Sequence, residues 1–129
     1  MITNELNSVA EFHNAFRIAM TDKPTIDLPL DIIKLRFNLM KEENEEYLEA
    51  AENNDMIEVA DALGDMLYIL CGTILSHGMQ HKIQEVFEEI QRSNMSKLGE
   101  DDQPIYREDG KVLKGPNYFK PNIKDILEK

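Results

Sequence analysis

The fold of this 129-residue chain is decided by residues 42–68, EENEEYLEAAENNDMIEVADALGDMLY. On either side of Asn53-Asn54, apolar residues recur at intervals of three and four, which is the spacing of one face of an α-helix. Asn53-Asn54-Asp55 itself is typical of a turn and of a helix N-cap. The stretch therefore predicts two helices that form an antiparallel hairpin.

Acidic residues fall on the apolar face of each predicted helix. Glu43 and Glu46 share a face of the first helix, and Asp61 and Asp65 share one of the second, with Glu58 one turn earlier. In this hairpin, residues whose numbers add to about 107 lie at the same height, so Glu46 meets Asp61. Two carboxylates about 5 Å apart repel by roughly 3 kcal/mol at an effective dielectric of about 20. We expect bound cations to neutralise such a cluster.

The type of ligand indicates which cation is bound. Carboxylate oxygens alone favour a hard ion, Mg²⁺ with Mn²⁺ or Ca²⁺ as alternatives, over zinc. The sequence contains no Glu-x-x-His, which disfavours a di-iron carboxylate bundle, and no calcium-binding loop pattern. The remaining acids of these helices are interpreted as a solvated face, namely Glu45, Glu49 and Glu52.

Charge and composition exclude several classes of protein. The net charge of −11 disfavours a nucleic-acid polymer as partner, because such binding needs a basic surface. The single cysteine, Cys71, and the lack of an export signal at the N-terminus favour a cytoplasmic location. The most apolar segment, residues 66–75, is too short to cross a bilayer, so no membrane role is expected.

The rest of the chain predicts further helices and a different C-terminal region. A DG turn at Asp109-Gly110 lies between two short apolar stretches and predicts a β-hairpin over residues 105–114. Pro116 and Pro121 favour an extended tail after it. We expect one domain over residues 1–129. Helices are predicted over 4–20, from an N-cap at Asp31 to 52, and over 56–77, 80–97 and 122–128.

The stretches EENEE (42–46) and EVADALGDMLY (58–68) resemble the all-α NTP pyrophosphohydrolase superfamily. This superfamily includes MazG, dimeric dUTPases, dCTP pyrophosphatases and phosphoribosyl-ATP pyrophosphohydrolase. The resemblance covers residues 5–120 and is greatest to the MazG-like and phosphoribosyl-ATP pyrophosphohydrolase-like branch. It implies an all-α, four-helix MazG-like bundle, followed here by the short hairpin and extended tail.

The resemblance also implies an activity and a set of metal ligands. Family members use Mg²⁺ to hydrolyse a nucleoside triphosphate to the monophosphate and pyrophosphate. Carried onto this chain, the ligands are Glu43, Glu46 and Asp65. The catalytic carboxylates are predicted to be Glu43 and its neighbour Glu42, which is close enough to take a proton from metal-activated water. Ala62 stands where the second family motif has a Glu, so the fourth ligand is either Asp61 or Glu58.

Residues outside the acidic hairpin are candidates for binding the nucleotide. His13 and Phe16 resemble first-helix residues that line the nucleotide pocket in relatives, and Tyr106 is a second aromatic candidate beside Tyr118. Basic and amide side chains are suited to phosphate, sugar or base. Cys71, His77 and His81 are interpreted as packing or surface residues. The predicted substrate-binding residues are His13, Asn94, Lys97, Arg107, Lys111, Lys114 and Tyr118.

Two functional hypotheses follow from the sequence. The first is the nucleotide pyrophosphohydrolase, acting as a homodimer or homotetramer because a small chain with a nearly all-apolar helix gains core by association. The second is a non-catalytic acidic helical module that binds a basic partner. Pocket shape decides which nucleotide fits, so the sequence leaves the substrate open.

Overall fold

The computed structural model describes residues 2–129. Within that range the regular structure is entirely helical and no β-strand is formed, which confirms the all-α class. The chain divides into two compact units, one ending at His81 and the other running from Lys82 to Lys129. The helices are α1 (Thr3–Ala15), α2 (Leu30–Glu52), α3 (Met56–Ser76), α4 (Ile83–Met95) and α5 (Ile123–Glu128).

The turn between α2 and α3 forms where the sequence predicts it. Asn53 ends α2, and Asn54 has a left-handed φ of 56°, which Asn adopts more readily than most residues. The Asp55 carboxylate accepts a hydrogen bond from the Glu58 N–H at 3.1 Å and so caps α3. The predicted helical hairpin is confirmed, since α2 and α3 pack against each other.

The first helix is shorter than predicted. It ends at Ala15 because Arg17 turns left-handed with φ 59°, and the Ile18 N–H bonds back to the His13 carbonyl at 2.8 Å. The predicted end at residue 20 is therefore wrong. Apolar spacing continued to Ala19 although the backbone had already left the helix.

The start of α2 also differs from the prediction. Pro29 precedes the helix, and its carbonyl accepts hydrogen bonds from Ile32 and Ile33 at 3.0 and 3.2 Å. Asp31 lies inside the first turn, where its carboxylate accepts from the Ile32 N–H and interacts favourably with the helix dipole. The prediction of Asp31 as N-cap is wrong, because a proline with its fixed φ begins this helix.

The central helix of the first unit is α3, which packs against both α1 and α2. Its length and apolar composition alone would allow it to cross a membrane, a property that core helices of other proteins share. The acids Glu58, Asp61 and Asp65 in its first half are costly in a bilayer, which favours the core interpretation. The cytoplasmic location stays a prediction. The buried apolar residues of this unit are Leu6, Val9, Ala50, Ala62, Cys71, Ile74 and Leu75.

In the second unit, α4 packs against α5 and holds the extended tail. The Ser93 hydroxyl donates to the Phe119 carbonyl at 2.8 Å, and the Phe119 N–H donates to the Ser96 hydroxyl at 3.1 Å. The Gly115 N–H donates to the Lys97 carbonyl at 2.8 Å. The predicted extended tail is thus fastened along α4.

The predicted β-hairpin is reduced to a turn. Tyr106 and Val112 form one isolated antiparallel bridge around Gly110, whose φ is 89°. One bridged residue on each side is too few for a strand, and no third strand supports the pair in the described chain. The four-helix bundle stays a prediction, since α1 to α3 belong to one compact unit and α4 to the other. The single domain over residues 1–129 stays a prediction.

Candidate metal and nucleotide site

Glu43 lies at the centre of a carboxylate cluster formed by α2 and α3. Its carboxyl group is within hydrogen-bonding distance of Glu46, one turn further along α2. The negative charges of Asp61 and Asp65 also act on it. Glu43 and Asp65 are half-buried, whereas Glu46 and Asp61 are exposed. The hairpin therefore brings together the four acids that the helical spacing placed at matching heights. We call them the carboxylate cluster.

The environment of Glu43 disfavours a negative charge there. Burial is the largest cause that raises its pKa, followed by the hydrogen bond to Glu46 and the charges of Asp65, Glu46 and Asp61. Together these effects raise the pKa of Glu43 to about 7. In addition, Glu43 Oε2 is buried without a hydrogen-bond partner, which costs free energy. A cation at this oxygen would remove both penalties.

The donor chemistry of the carboxylate cluster fits a hard divalent cation. All its ligand atoms are carboxylate oxygens, and one of them is the unpartnered Glu43 Oε2. Among residues 2–129, no three His, Cys, Asp or Glu side chains converge tightly enough to form a complete coordination shell. Exposed Glu46 and Asp61 therefore have to turn inward if they are to complete one.

Ala62 and Glu58 occupy different surroundings from the cluster. Ala62, at the position of the family's second Glu, is only 2% exposed and belongs to the core. Glu58 is exposed in the first turn of α3 and lines a 310 Å³ pocket near the hairpin turn together with Glu46 and Asn53. The charges that act on Glu43 include Asp61 but not Glu58. The geometry thus favours Asp61 over Glu58 as a fourth ligand.

Glu42 differs from its neighbour Glu43 although both were predicted as catalytic. Its side chain is exposed, and its charge acts on Lys41 and not on Glu43. Lys41 itself pairs with Glu45 at 2.7 Å. Glu42 therefore lies at the solvent-exposed edge of α2 and not inside the carboxylate cluster.

An aromatic cluster lies beside the acids, and the sequence did not single out two of its three members. Phe12 stacks on Phe16 with ring centroids 4.4 Å apart and meets Tyr68 edge-to-face at 5.6 Å. All three rings are partly exposed. Tyr68 follows Asp65 by one helical turn. That spacing was the available signal, since it places an aromatic side chain on the face that carries the acids.

His13, predicted to contact the nucleotide, is in the core. The side chain is 2% exposed, and its Nδ1 atom has no hydrogen-bond partner. Burial is the largest cause that lowers the pKa of His13, and the charge of Arg36 lowers it further. The ring lies over Gly72 of α3, so close that a methyl group at Gly72 would collide with it. His13 is therefore a neutral ring at the junction of α1 and α3.

The other predicted nucleotide-binding residues lie in the second unit. Lys114 Nζ lies 4.8 Å from the centre of the Tyr118 ring, which holds the ammonium in place. Arg107 is paired with Asp109 through two hydrogen bonds, so much of its charge is already neutralised. Asn94 and Lys111 are exposed, and Lys97 is half-buried where the tail joins α4.

The all-α fold, with paired carboxylates on a helical hairpin, is that of the MazG-like NTP pyrophosphohydrolase superfamily. Within it, this chain belongs to the phosphoribosyl-ATP pyrophosphohydrolase family, whose model matches residues 9–94, more than half of the chain. The match includes the carboxylate cluster and most of α4, and it ends before the extended tail.

Two individual proteins are similar to this chain. A candidate NTP pyrophosphohydrolase from Exiguobacterium sp. 255-15, known from its crystal structure, is 25% identical with a TM-score of 0.53. That comparison covers 97% of this chain and 94% of the Exiguobacterium chain. An uncharacterized protein of Acanthamoeba polyphaga mimivirus is 38% identical over 52 residues, 39% of this chain. The matched region spans about a fifth of that viral protein, 21% of its length.

Proposed function

We propose that this protein hydrolyses a nucleoside triphosphate, or a related nucleotide, to the monophosphate and pyrophosphate with Mg²⁺ as cofactor and Mn²⁺ as a substitute. The observation that carries the proposal is Glu43, a half-buried carboxylate with a buried, unpartnered oxygen and three acidic neighbours. The family supports the same activity, since its name describes the cleavage of a phosphoanhydride bond.

Four residues would hold the metal: Glu43, Glu46, Asp61 and Asp65. Asp61 replaces the family's missing Glu because its charge acts on Glu43, whereas Glu58 lies in the first turn of α3, nearer the hairpin turn. When bound, the metal supplies charge neutralisation for the phosphate oxygens and acidifies water. The protein holds these carboxylates on two packed helices, so their positions depend on the hairpin.

The reaction needs a water oxygen to attack phosphorus while the phosphoanhydride bond breaks and pyrophosphate leaves. Glu42 is the proposed proton acceptor, because its exposed carboxylate lies next to Glu43 at the edge of the cluster. Glu43 is the alternative acceptor, because a carboxylate that binds a metal through one oxygen keeps a second oxygen that can take the proton. The monophosphate and pyrophosphate then leave, and the acceptor carboxylate releases its proton to solvent.

The aromatic cluster of Phe12, Phe16 and Tyr68 is the proposed surface for the nucleotide base. Rings that are partly exposed and already packed together lose little conformational freedom when a planar base stacks on them. Tyr68, one turn after Asp65, would place a stacked base next to phosphates held at the acids. His13, which is buried, would support this surface from beneath and not touch the base.

A gain in stability with Mg²⁺ tests the proposed cofactor directly. We expect Mg²⁺ or Mn²⁺ to raise the melting temperature, because an ion that binds only the folded state stabilises it. The gain should disappear in Asp65→Asn, which keeps the shape of the side chain and removes its charge. An equal gain in Asp65→Asn and the unmodified protein would contradict the assignment and favour the acidic interaction module.

The lysines of the second unit are the proposed phosphate contacts, and Lys114 is the best placed because Tyr118 orients it. We expect Lys114→Gln to raise KM about tenfold, since a charge-assisted hydrogen bond contributes roughly 1.5–3 kcal/mol. Lys111→Gln and Lys97→Gln should act in the same direction. Arg107→Gln should act less, because Asp109 already neutralises Arg107.

Steady-state kinetics at saturating Mg²⁺ measures these changes in KM. Lys124→Gln on α5 is the matched control, an exposed lysine outside the proposed site. If Lys114→Gln and Lys124→Gln have the same KM as the unmodified protein, the phosphate role of the tail is wrong.

Association into a homodimer or homotetramer is proposed from the exposed apolar surface of the hairpin. Phe37 and Leu70 are exposed and line a 790 Å³ groove with Ile33, Met40 and Met66. Leu63 and Leu67 of α3 are exposed as well, among other large apolar residues. Monomers rarely leave so much contiguous apolar surface in water. We propose that a second copy of the chain covers it.

Introducing charge into this groove is expected to lower the molecular mass in solution. Phe37→Lys or Leu70→Lys places an ammonium where the second copy would pack, so light scattering should report monomers. Ile26→Lys is the control, because Ile26 is exposed in the loop between α1 and α2 and does not line the groove. An unchanged mass in the groove variants would exclude this interface.

A further inference from the structure

Arg36 is a buried cation of the first unit that the proposed reaction does not use. It lies on α2 two turns before Glu43, and only 8% of it is exposed. Within residues 2–129, no carboxylate lies within ion-pair distance of its guanidinium. A buried charge without a counter-charge is costly, so its contacts need an explanation.

Both side-chain hydrogen bonds of Arg36 run from α2 to α3. Nε donates to the Thr73 hydroxyl at 3.1 Å, and Nη2 donates to the Ile69 carbonyl at 2.8 Å. The Thr73 hydroxyl in turn donates to the Ile69 carbonyl at 2.9 Å, which closes the network. One planar fork thus holds two successive turns of the facing helix.

The hydrogen bonds of Arg36 lie within about two helical turns of the acids that face each other on α2 and α3. Ile69 follows Asp65 by one turn of α3, and Arg36 precedes Glu43 by two turns of α2. The hairpin turn fixes the two helices at one end, and Arg36 fixes them beyond the acids at the other. A slip of one residue would move the facing carboxylates by about 1.5 Å, enough to spoil a coordination shell.

We propose that Arg36 is a positioning residue: its two-point contact with Ile69 and Thr73 fixes the register of α2 against α3, and this register aligns the carboxylate cluster. The expected effect on metal binding rests on the proposed function, whereas the expected effect on helix register is independent of it. A lysine keeps the charge but lacks the planar fork, so it replaces Arg36 only in part.

Calorimetric titration with Mn²⁺ tests the consequence for the site. We expect Arg36→Met to weaken Mn²⁺ binding about tenfold or more, as loss of a supporting contact around metal ligands does. Thr73→Val, which removes one contact and keeps the charge, should weaken it by a smaller factor. Lys34→Met is the matched control on an exposed position of α2 and should leave the affinity unchanged.

Spin labels test the register itself in the metal-free protein. Labels at Glu45→Cys and Leu63→Cys report one α2–α3 distance from two exposed positions. In Arg36→Met and Thr73→Val this distance should shift or broaden by about 1.5 Å or more, whereas Lys34→Met should not change it. If Arg36→Met fails to fold, Thr73→Val and Arg36→Lys give the same comparison.

The outcomes separate this proposal from the proposed function. An unmodified protein that binds no Mn²⁺ refutes the metal site, and the label distance still reports the register. A lower melting temperature in Arg36→Met, with unchanged label distance and unchanged Mn²⁺ affinity, shows a merely structural role and overturns the proposal. Arg36→Lys that matches the unmodified protein in both measurements also overturns it, because charge alone then suffices.

Discussion

Replacing Glu46 by Gln is expected to lower turnover by at least about 10³-fold, because metal-based charge stabilisation contributes several kcal/mol to the transition state. The substitution keeps the size of the side chain and removes one negative charge from the carboxylate cluster. It also replaces a carboxylate whose charge raises the pKa of Glu43 with a neutral amide. Release of pyrophosphate under saturating Mg²⁺ measures the loss.

The control for this variant lies one residue away on the same helix. Glu45 is exposed and pairs with Lys41 at 2.7 Å, outside the cluster, so Glu45→Gln should keep its turnover. Circular dichroism of both variants checks that α2 is intact. Turnover of Glu46→Gln within a factor of about three of the Glu45→Gln value would remove Glu46 from the site.

Replacing Gly72 by Ala is expected to have the largest effect on stability. A methyl group at Gly72 would collide with the Arg36 guanidinium and come within 2.9 Å of His13 Nε2. Both side chains are buried, and hydrogen bonds to Ile69 and Thr73 hold Arg36 over Gly72. Overpacking of this kind costs about 1–3 kcal/mol, more than the roughly 1 kcal/mol that Ala gains over Gly in a helix.

Thermal unfolding of the metal-free protein measures this prediction. The melting temperature of Gly72→Ala should fall by several degrees, since about 1 kcal/mol corresponds to roughly 2–8 °C in small domains. Gly64 of the same helix is the matched control, because a methyl group there meets no atom within 4 Å. Gly64→Ala should therefore be neutral or stabilising. Equal melting temperatures for both variants would disprove the close packing of Arg36 and His13 over Gly72.

Helical periodicity predicted the architecture better than the ends of its elements. The hairpin of α2 and α3 followed from local signals, the apolar spacing and the Asn53 to Asp55 turn, and both operate within a few residues. The end of α1 depended on the left-handed backbone of Arg17, a residue type that gives no such signal. The short turn around Gly110 lacked the neighbouring strand that a hairpin needs for stability.

The candidate site likewise contains residues that local sequence signals predict and residues that they do not. Glu43, Glu46, Asp61 and Asp65 could be placed together from sequence because one hairpin relates all four by simple helical arithmetic. Contacts between helices that no short turn joins, and contacts that depend on the conformation of a long side chain, were not predictable in this way. Phe12 meets Tyr68 through the packing of α1 on α3, and Arg36 meets Ile69 and Thr73 within the α2–α3 interface.

His13 illustrates why resemblance alone does not place a side chain. A first-helix histidine is predicted to line a nucleotide pocket, but here the ring is buried over Gly72. Its surroundings depend on the absence of a side chain at Gly72 and on the buried cation Arg36, two features of distant segments. Unlike His13, the aromatic rings of Phe12, Phe16 and Tyr68 are partly exposed.

The most direct test of the proposed function is to identify the products from a panel of nucleotides incubated with the purified protein, with Mg²⁺ and with EDTA. The panel includes ribo- and deoxyribonucleoside triphosphates and phosphoribosyl-ATP. We predict that at least one nucleotide yields equal amounts of its monophosphate and pyrophosphate, and that EDTA abolishes the reaction. No consumption of any nucleotide, or release of orthophosphate with a diphosphate product, would contradict a pyrophosphohydrolase.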